Sequence, residues 1–491
     1  MADEEQQQER FFRPQGQDRP RRDGGVEVLP ANADDLNSYR EAQRQLGQMR
    51  APVMVHADNK HEPLFVAVLD GTGNNMHKDD DANETGIVRL YKQIQEGRAR
   101  GEHPNIFADY VTGIGTQDKG ATWDAARGHT FEERAETMYR QFIEQAKRWK
   151  DADPQAEIRV AALGFSRGAE EAAYFTRLVE QRGIQDPTGA KYKVDENGLV
   201  TSVEFTKPPL VAPGQVAQAA LLMDPVPTGD PRNYDRRLPP SVISAFQVTA
   251  EDERRDQFKG SRHLPDGLSD NKRFLNVTVG GAHSDIGDAY PLNGLGIRST
   301  NLAVDYLNAL SDKPFLHKRA EPEDPQRNVV HRSEQHMMLY TTKGFDQDGR
   351  RDVIEQLAPE SLRKKDKGVD INSKEPVNPA LDAKFERQAV PIAETPKEIQ
   401  GQDAPKRPTE RAQGEGNILF ERLAAASAAN DEAGARAVVQ EYLRTPEAQA
   451  WLQQGREFNQ QQAQDLAAKQ TQESQAQEQA GQVASAGGMR R

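Results

Sequence analysis

The fold is indicated by residues 158–169, which read IRVAALGFSRGA. The apolar part of this stretch predicts a buried strand over 158–163, and the pattern of residues 169–180 predicts a helix. Between them lies a Gly-x-Ser-x-Gly turn centred on Ser166. A serine on a sharp strand-to-helix turn is exposed at the end of a parallel sheet, where it can act as a nucleophile. Glycines are expected on both sides of it, because a side chain there would collide with the neighbouring strand or helix.

Apolar runs and helical patterns alternate on both sides of this turn. Such alternation favours a mostly parallel sheet with helices on both faces. Residues 191–205 interrupt it with alternating residues around Asn197-Gly198, which predict an inserted β-hairpin. The predicted strands are 64–69, 106–111, 158–163, 219–223 and 274–279, and the predicted helices are near 34–49, 86–95, 131–146, 169–180 and 301–310.

Polar composition at both ends places the core in the middle of the 491-residue chain. The charged, Pro-rich stretch after the core predicts a linker or a lid, and the Gln-rich end has too few apolar residues to fold alone. The predicted organisation is a flexible N-terminal arm with a helical segment (1–60), a catalytic domain (61–315), a linker or lid region (316–415), a helical segment (416–458) and a disordered tail (459–491).

Charge and composition exclude several classes of function. The formal net charge of −13 argues against nucleic acid as the main partner, because phosphate binding requires a basic face. The chain has no cysteine, so neither disulfides nor thiolate metal sites are expected. No apolar run is long enough to span a bilayer, and the charged N-terminus does not resemble a Sec signal. We therefore expect synthesis in the cytoplasm, and export only by a dedicated machine.

A serine hydroxyl needs a base to remove its proton and a carboxylate to orient that base. In α/β-hydrolases the chain order is serine, acid, histidine. Asp224 follows the strand 219–223, and His283 follows the strand 274–279 in a glycine-containing loop. Both positions lie at carboxyl ends of predicted strands, where ligand sites of such sheets collect. The sequence therefore predicts an α/β-hydrolase-like fold with a Ser166–Asp224–His283 triad.

Other residues compete for these roles. His263, His331 and His336 lack the position at a strand end. Asp285 is a stronger alternative, since it could orient the site or bind a cation together with Asp288. The predicted site needs no cofactor and no metal.

The oxyanion donors are predicted on two turns. One is the backbone N–H of Arg167, and the other comes from Gly71 or Thr72, because glycines permit a close backbone approach there. Asp70, which opens this second turn, is a secondary candidate. An Asp-Gly-Thr sequence after a strand also occurs in haloacid-dehalogenase-type phosphatases. The nucleophilic aspartate of those enzymes would stand two residues before Asp70, where this chain has Val68.

The chain resembles the first family of type VI secretion lipase effectors over roughly residues 63–310, because five motifs occur in the order seen in that family. The resemblance implies an α/β-hydrolase with Ser166, Asp224 and His283 as its triad and a glycerophospholipid as substrate. The chain departs from the family pattern at Pro225 and at Gly287-Asp288-Ala289-Tyr290. The five motifs are Leu69-Asp70-Gly71-Thr72-Gly73-Asn74, Gly164-Phe165-Ser166-Arg167-Gly168-Ala169, Met223-Asp224-Pro225-Val226, Asp252-Glu253-Arg254-Arg255 and Gly281-Ala282-His283-Ser284-Asp285-Ile286-Gly287.

The leading hypothesis is an antibacterial phospholipase of the A type that forms an acyl-enzyme on Ser166. The resemblance also implies an immunity protein, a partner in the secretion machine or its adaptor, and delivery to the periplasm of a target cell. The composition of the tail is similar to that of effectors secreted by type IV machines, so the route stays open. Two alternatives remain: a hydrolase of a soluble ester or thioester without a toxic role, and a non-enzymatic scaffold for a secretion partner.

Overall fold

Seven strands form the central sheet of the computed structural model, which describes residues 21–79, 81–117, 120–336, 350–360, 362 and 374–397. All of these residues belong to one compact unit, Met1–Arg407. The helical segment and the tail predicted over 416–458 and 459–491 lie outside the described residues. Among the described helices, none has the length and apolar character needed to cross a bilayer.

The central sheet follows the order β12 (Gly267–Leu268), β13 (Phe274–Val279), β10 (Val242–Ala250), β9 (Gln218–Met223), β6 (Arg159–Phe165), β4 (Leu64–Leu69) and β5 (Ile106–Val111). All neighbouring strands are parallel except the edge pair β12–β13. The four central strands of the sheet, β10, β9, β6 and β4, are buried along their whole length, as expected for a parallel sheet covered on both faces. The predicted fold class, an α/β-hydrolase-like mostly parallel sheet with helices, is confirmed.

The helices lie close to their predicted positions. The clearest amphipathic pattern gives the longest described helix, 22 residues from Phe131 to Ala152, with Phe131, Met138 and Phe142 fully buried. The helix predicted over 301–310 begins earlier, at Gly294. The helices are α1 (Ala33–Leu46), α2 (Gly86–Ala99), α3 (Ala121–Arg127), α4 (Phe131–Ala152), α5 (Arg167–Arg182), α6 (His283–Ile286), α7 (Gly294–Asn308) and α8 (Pro379–Asp382).

The hairpin predicted over 191–205 is also present. Strands β7 (Lys191–Val194) and β8 (Val200–Glu204) pair antiparallel. Asp195 closes the turn by accepting the backbone N–H groups of Asn197 and Leu199. The insertion is therefore a local unit outside the central sheet.

Strand β10 was not predicted, although it lies near the middle of the sheet. All nine of its residues are buried, including Ser244, Gln247 and Thr249. These three polar side chains interrupt the apolar pattern of the strand. They are tolerated because each is hydrogen-bonded: Gln247 donates to the carbonyl of Ser261 at 2.8 Å, and Thr249 bonds Asn276 at 3.1 Å.

The prediction of a flexible arm over residues 1–60 is wrong for residues 21–60. Strands β1 (Arg22–Asp23) and β2 (Val26–Pro30) form a three-stranded antiparallel sheet with β14 (Val329–His331). Helix α1 is present as predicted, with a capping box between Asn32 and Asp35, and its Tyr39 hydroxyl donates to the Gly280 carbonyl at 2.8 Å. The polar composition hid a segment in which most of the apolar residues, among them Leu46, are buried.

Much of the predicted linker is likewise part of the folded unit. Strand β14 pairs with β2, β15 (Val353–Ile354) pairs with β11 (Gly260–Ser261), and β16 (Arg387–Ala389) pairs with β3 (Arg50–Pro52). Leu357, Ala358 and Leu381 are buried. The prediction of a linker or lid over 316–415 is therefore wrong for these described segments, because backbone pairing and buried apolar side chains make them part of the core.

Candidate active site

Ser166 lies on the sharp turn between β6 and α5. Its backbone has φ 60° and ψ −129°, a conformation that non-glycine residues seldom adopt. The N–H of Ser166 donates to the Met223 carbonyl at 3.0 Å, which ties the turn to the end of β9. The surrounding structure therefore holds the strained serine in place, as is typical of functional sites.

The two flanking glycines are required by close backbone approach. A Cβ atom on Gly164 would overlap the Gly168 carbonyl, and one on Gly168 would overlap the carbonyls of Leu69 and Asp70 at the end of β4. The collision expected from the sequence is thus present on both sides of Ser166.

Asp224 follows the last residue of β9 and is held by the neighbouring strand β10. Its N–H donates to the Val248 carbonyl at 2.7 Å, and its Oδ1 accepts the N–H of Ala250 at 2.9 Å. Its backbone φ of 41° is also in the left-handed region. The unpredicted strand β10 is therefore what aims this carboxylate.

His283 is the first residue of the single-turn helix α6. Two acidic residues that follow β10 hold its loop: Asp252 accepts the N–H of Gly281 at 2.8 Å, and Glu253 accepts the N–H of His283 at 3.3 Å. Glu253 is itself paired with Arg255 at 2.8 Å. The acidic half of the Asp252–Arg255 motif thus positions the histidine.

The structure brings the three predicted residues together. His283 Nε2 lies 2.8 Å from Ser166 Oγ, and His283 Nδ1 lies 2.5 Å from Asp224 Oδ2. The tautomer that satisfies both contacts donates from Nδ1 to Asp224 and accepts at Nε2 from the serine hydroxyl. Ser166, Asp224 and His283 are all buried, so this chain of hydrogen bonds is shielded from water.

Burial and charge set the ionisation of the acid and the base in this chain. Burial opposes the ionisation of Asp224, but the charge of Arg351 and the hydrogen bond to His283 outweigh it and lower the pKa of Asp224 to about 2. Burial also lowers the pKa of His283, against the opposing effect of Asp224. At neutral pH this combination gives an ionised acid beside a neutral imidazole that can accept a proton.

Arg351 is a neighbour of this site that the sequence did not reveal. Its Nη1 donates to Asp224 Oδ1 at 2.5 Å and to the Ala250 carbonyl at 3.0 Å, and its Nη2 donates to the Phe258 carbonyl. The residue lies in the stretch predicted as a linker or lid, 127 residues after Asp224. No local pattern marks it, because its partner is defined only by the fold.

Two aromatic rings pack on the His283 imidazole. The Phe165 ring stacks on it with 4.6 Å between centroids, and the Phe258 ring meets it edge-on at 5.2 Å. The Phe165 ring is itself confined, because Cβ atoms on Gly71 or Gly287 would overlap it. The glycines of two motifs therefore leave room for the ring that supports the histidine.

One oxyanion prediction requires correction. The N–H of Gly71 donates to Asp70 Oδ1 at 2.8 Å, so that carboxylate already engages this donor. Thr72 and Arg167 are joined through their side chains, since Arg167 Nε donates to Thr72 Oγ1 at 2.7 Å. The two predicted oxyanion turns are thus adjacent, and the backbone donors of Thr72 and Arg167 stay predictions.

Asp70, the first of the secondary candidates, is hydrogen-bonded to its own turn and to two neighbouring side chains. Asp70 accepts from Gly71, from Thr85 at 2.8 Å and from Tyr110 at 2.6 Å, while burial raises its pKa to about 6. These contacts shape the turn after β4 and give Asp70 a structural role.

The alternative prediction of a cation site at Asp285 and Asp288 is not supported by their contacts. Asp285 binds His331 Nδ1 at 2.5 Å, and Asp288 pairs with Arg319 and, at 3.3 Å, with Arg89. Cationic or protonatable side chains of the chain itself already neutralise both carboxylates. Within the described residues, no cluster of three or more His, Asp or Glu side chains has the arrangement of a metal site.

The remaining histidines lie apart from the serine. His263 Nε2 contacts the buried Glu170 at 3.1 Å, and Glu170 also pairs with Arg236 at 2.6 Å. His331 bridges Asp285 and Asp23. The side chain of His336 lies outside the described residues.

Comparison with known proteins supports the resemblance drawn from the motifs. Residues 64–198 match a family described as type VI secretion system phospholipase effector Tle1-like, catalytic domain. The resemblance to this effector family is confirmed. The Tle1-like segment includes β4, β6 and the Ser166 turn, whereas Asp224 and His283 lie beyond it. A search of curated protein sequences gives no match.

Solved structures show distant likenesses to this chain. An uncharacterized protein from Pseudomonas aeruginosa is 14% identical with a TM-score of 0.33, over 62% of this chain and 53% of that one. The Tle1 effector bound to the VgrG spike of the type VI secretion system is 21% identical with a TM-score of 0.27, over 46% of this chain and 51% of that one. An acetyl xylan esterase is 12% identical with a TM-score of 0.23, over 50% and 97%. The chain spans about half the length of the first two.

Proposed function

We propose that this protein is a type VI secretion lipase effector that hydrolyses ester bonds of phospholipids through a Ser166–His283–Asp224 triad. The observation that carries the proposal is the continuous chain of hydrogen bonds from Ser166 Oγ through both nitrogens of His283 to Asp224 Oδ2. The Tle1-like match over residues 64–198 supports the substrate class. We further propose A-type specificity, delivery to the periplasm of a target cell, a partner in the secretion machine, and an immunity protein in the producer.

In the proposed reaction, Ser166 Oγ attacks the ester carbonyl while His283 Nε2 takes the hydroxyl proton. Asp224 stabilises the resulting imidazolium, and backbone N–H groups near Arg167 and Thr72 bind the oxyanion. His283 then returns the proton to the departing lysolipid alcohol, which leaves an acyl-serine. Water attacks this ester with His283 again acting as base, and a fatty acid is released.

Lipid product analysis tests this function. Purified wild type and Ser166→Ala are incubated with vesicles of mixed bacterial phospholipids, and fatty acid and lysolipid are quantified. Removal of the nucleophile should lower the rate by about 10⁶-fold, as in a serine protease triad. A fluorophosphonate probe should label the wild type and not Ser166→Ala. Equal lipid hydrolysis by both proteins would exclude Ser166 as the nucleophile.

A second candidate is a hydrolase of a soluble ester. It is favoured by the surface of the described residues, on which only Val194 and Ile392 are exposed large hydrophobic side chains. An enzyme working at a bilayer is expected to present apolar surface to the interface. Comparison of a short soluble ester with vesicle lipid separates the two: a wild type that cleaves only the soluble ester keeps its triad but is not a phospholipase.

A further inference from the structure

The carboxylate of Asp224 is shared between a base and a permanent cation. His283 occupies its Oδ2, while its Oδ1 accepts from Ala250 N–H and from Arg351 Nη1. Arg351 is buried, with 7% of its surface exposed. A guanidinium in this position is close enough to offset part of the negative charge of Asp224. The attraction between Asp224 and a protonated His283 is weaker as a result.

The backbone that follows Arg351 is fixed to the core at two points. Strand β15 pairs with β11, and the N–H of Arg262 donates to the Ile354 carbonyl at 3.0 Å. Farther along, the fully buried Leu357 accepts the N–H of Arg236 at 3.0 Å. Arg351 is thus attached to a segment whose backbone is paired with the core, and this segment places the guanidinium at Asp224.

We propose that Arg351 is a positioning residue of the active site, which fixes the Asp224 carboxylate and withholds part of its charge from His283. The inference rests on the proposed function. Ala250 N–H and Arg351 hold one oxygen of Asp224, so the other is aimed at His283 Nδ1 with no freedom to rotate. Arg351 thereby orients the base without touching the serine.

The electrostatic consequence follows from the charged groups around His283. These are Asp224 after β9, Glu253 and Arg255 after β10, and Arg351 before β15. Without the Arg351 charge, the Asp224 carboxylate stabilises the protonated imidazole more strongly, and this raises the pKa of His283. The neutral base would then be available only at higher pH.

The test is the rate of fluorophosphonate labelling from pH 5 to 9 for the full-length wild type, Arg351→Gln and Arg351→Lys. We expect Arg351→Gln to slow labelling by about 10²-fold, because the acid is no longer oriented. In the plot of labelling rate against pH, the acid limb of Arg351→Gln should shift upward by about one pH unit. Arg351→Lys keeps the charge but not the fork of donors, so it should keep the wild-type acid limb at a reduced rate.

Arg262→Gln is the matched control, because Arg262 pairs with Glu355 on the exposed side of the same segment at 3.0 Å and does not belong to the site. It should label like the wild type. A slower Arg351→Gln with an unshifted acid limb would overturn the inference, as would a rate equal to that of Arg262→Gln. If Arg351→Gln does not fold, Arg351→Lys decides, and a shifted limb in that variant overturns the proposal. Absence of labelling in the wild type would instead refute the proposed function.

Discussion

The Phe165 ring is packed between two glycine-containing turns and the imidazole of His283. It lies on the imidazole at 4.6 Å between centroids, and Cβ atoms on Gly71 or Gly287 would occupy its space. We expect Gly287→Ala to push the ring against His283 and to slow fluorophosphonate labelling by about 100-fold, because small displacements of catalytic groups are costly.

Gly97→Ala is the control for this substitution. Gly97 lies within helix α2, where an added Cβ would meet only the ends of flexible side chains such as that of His103. Alanine there should leave labelling unchanged and stabilise the helix slightly. Wild-type labelling of a folded Gly287→Ala would show that the ring does not support the base.

The proximity of the three residues of the proposed triad could be predicted, because each follows an apolar strand and a serine nucleophile requires these residue types. Ser166, Asp224 and His283 all carry this local signal. The partners that tune them carry none: Arg351 reaches Asp224 from 127 residues away, and the engagement of Gly71 by Asp70 depends on the shape of a turn. A sequence pattern reports neighbours along the chain, whereas these contacts are made across it.

At the scale of elements, helix α6 is anchored by a buried histidine that lies between two carboxylates. His331 on β14 contacts Asp285 at 2.5 Å and Asp23 at 3.0 Å, and its ring stacks on Tyr290 at 3.7 Å. Asp285 also accepts the N–H of Ala282 and so caps the turn that carries His283. One ionic cluster therefore links the N-terminal sheet to the turn that carries His283.

This cluster predicts a specific loss of stability in alkali. Burial opposes the charge on His331, but Asp285 and Asp23 outweigh it and raise its pKa from 6.5 to about 9. A raised folded-state pKa gives stability that is complete below pH 6.5 and is lost as pH rises to about 9. The contribution is on the order of 3 kcal/mol. Urea unfolding of His331→Gln should lack this dependence on pH.

His61→Gln provides the comparison, because His61 pairs with Asp153 at 2.6 Å in a half-exposed position. Its pH dependence of stability should follow that of the wild type. A His331→Gln protein that loses stability between pH 6.5 and 9 as steeply as the wild type would show that the cluster is not the source of the effect.

Strand β10 shows where periodicity fails at this scale. Mostly apolar runs indicated β4, β5, β6, β9 and β13, whereas β10 buries Gln247 and Thr249 in hydrogen bonds to its neighbours. Such satisfied polar residues look like a loop in the sequence, although they lie in the interior of the sheet.

At the scale of the whole molecule, segments from both ends of the described chain complete the core. Leu46 of α1 is fully buried in the main hydrophobic cluster, together with residues of β4 and α7. Leu46→Ala should therefore lower the free energy of unfolding by about 2–5 kcal/mol in urea titrations.

Ile392→Ala removes a comparable side chain that is 38% exposed, and it should cost less than about 1 kcal/mol. Equal stabilities for Leu46→Ala and the wild type would restore the original prediction of a flexible N-terminal arm. Composition suggested that arm because the average polarity of a segment does not report which of its few apolar residues face inward.

The pairing of β2 with β14 has a consequence for how the protein is made. Asp23 meets His331 across 308 positions of the chain, and Arg351 follows His331. As the polypeptide leaves the ribosome, Ser166, Asp224 and His283 emerge before the strand and the guanidinium that hold them. Contacts between such distant positions form late, after their loop has been closed. A nascent chain thus contains all three reactive groups before the scaffold that holds them has been made, and the site can be completed only with the last part of the core.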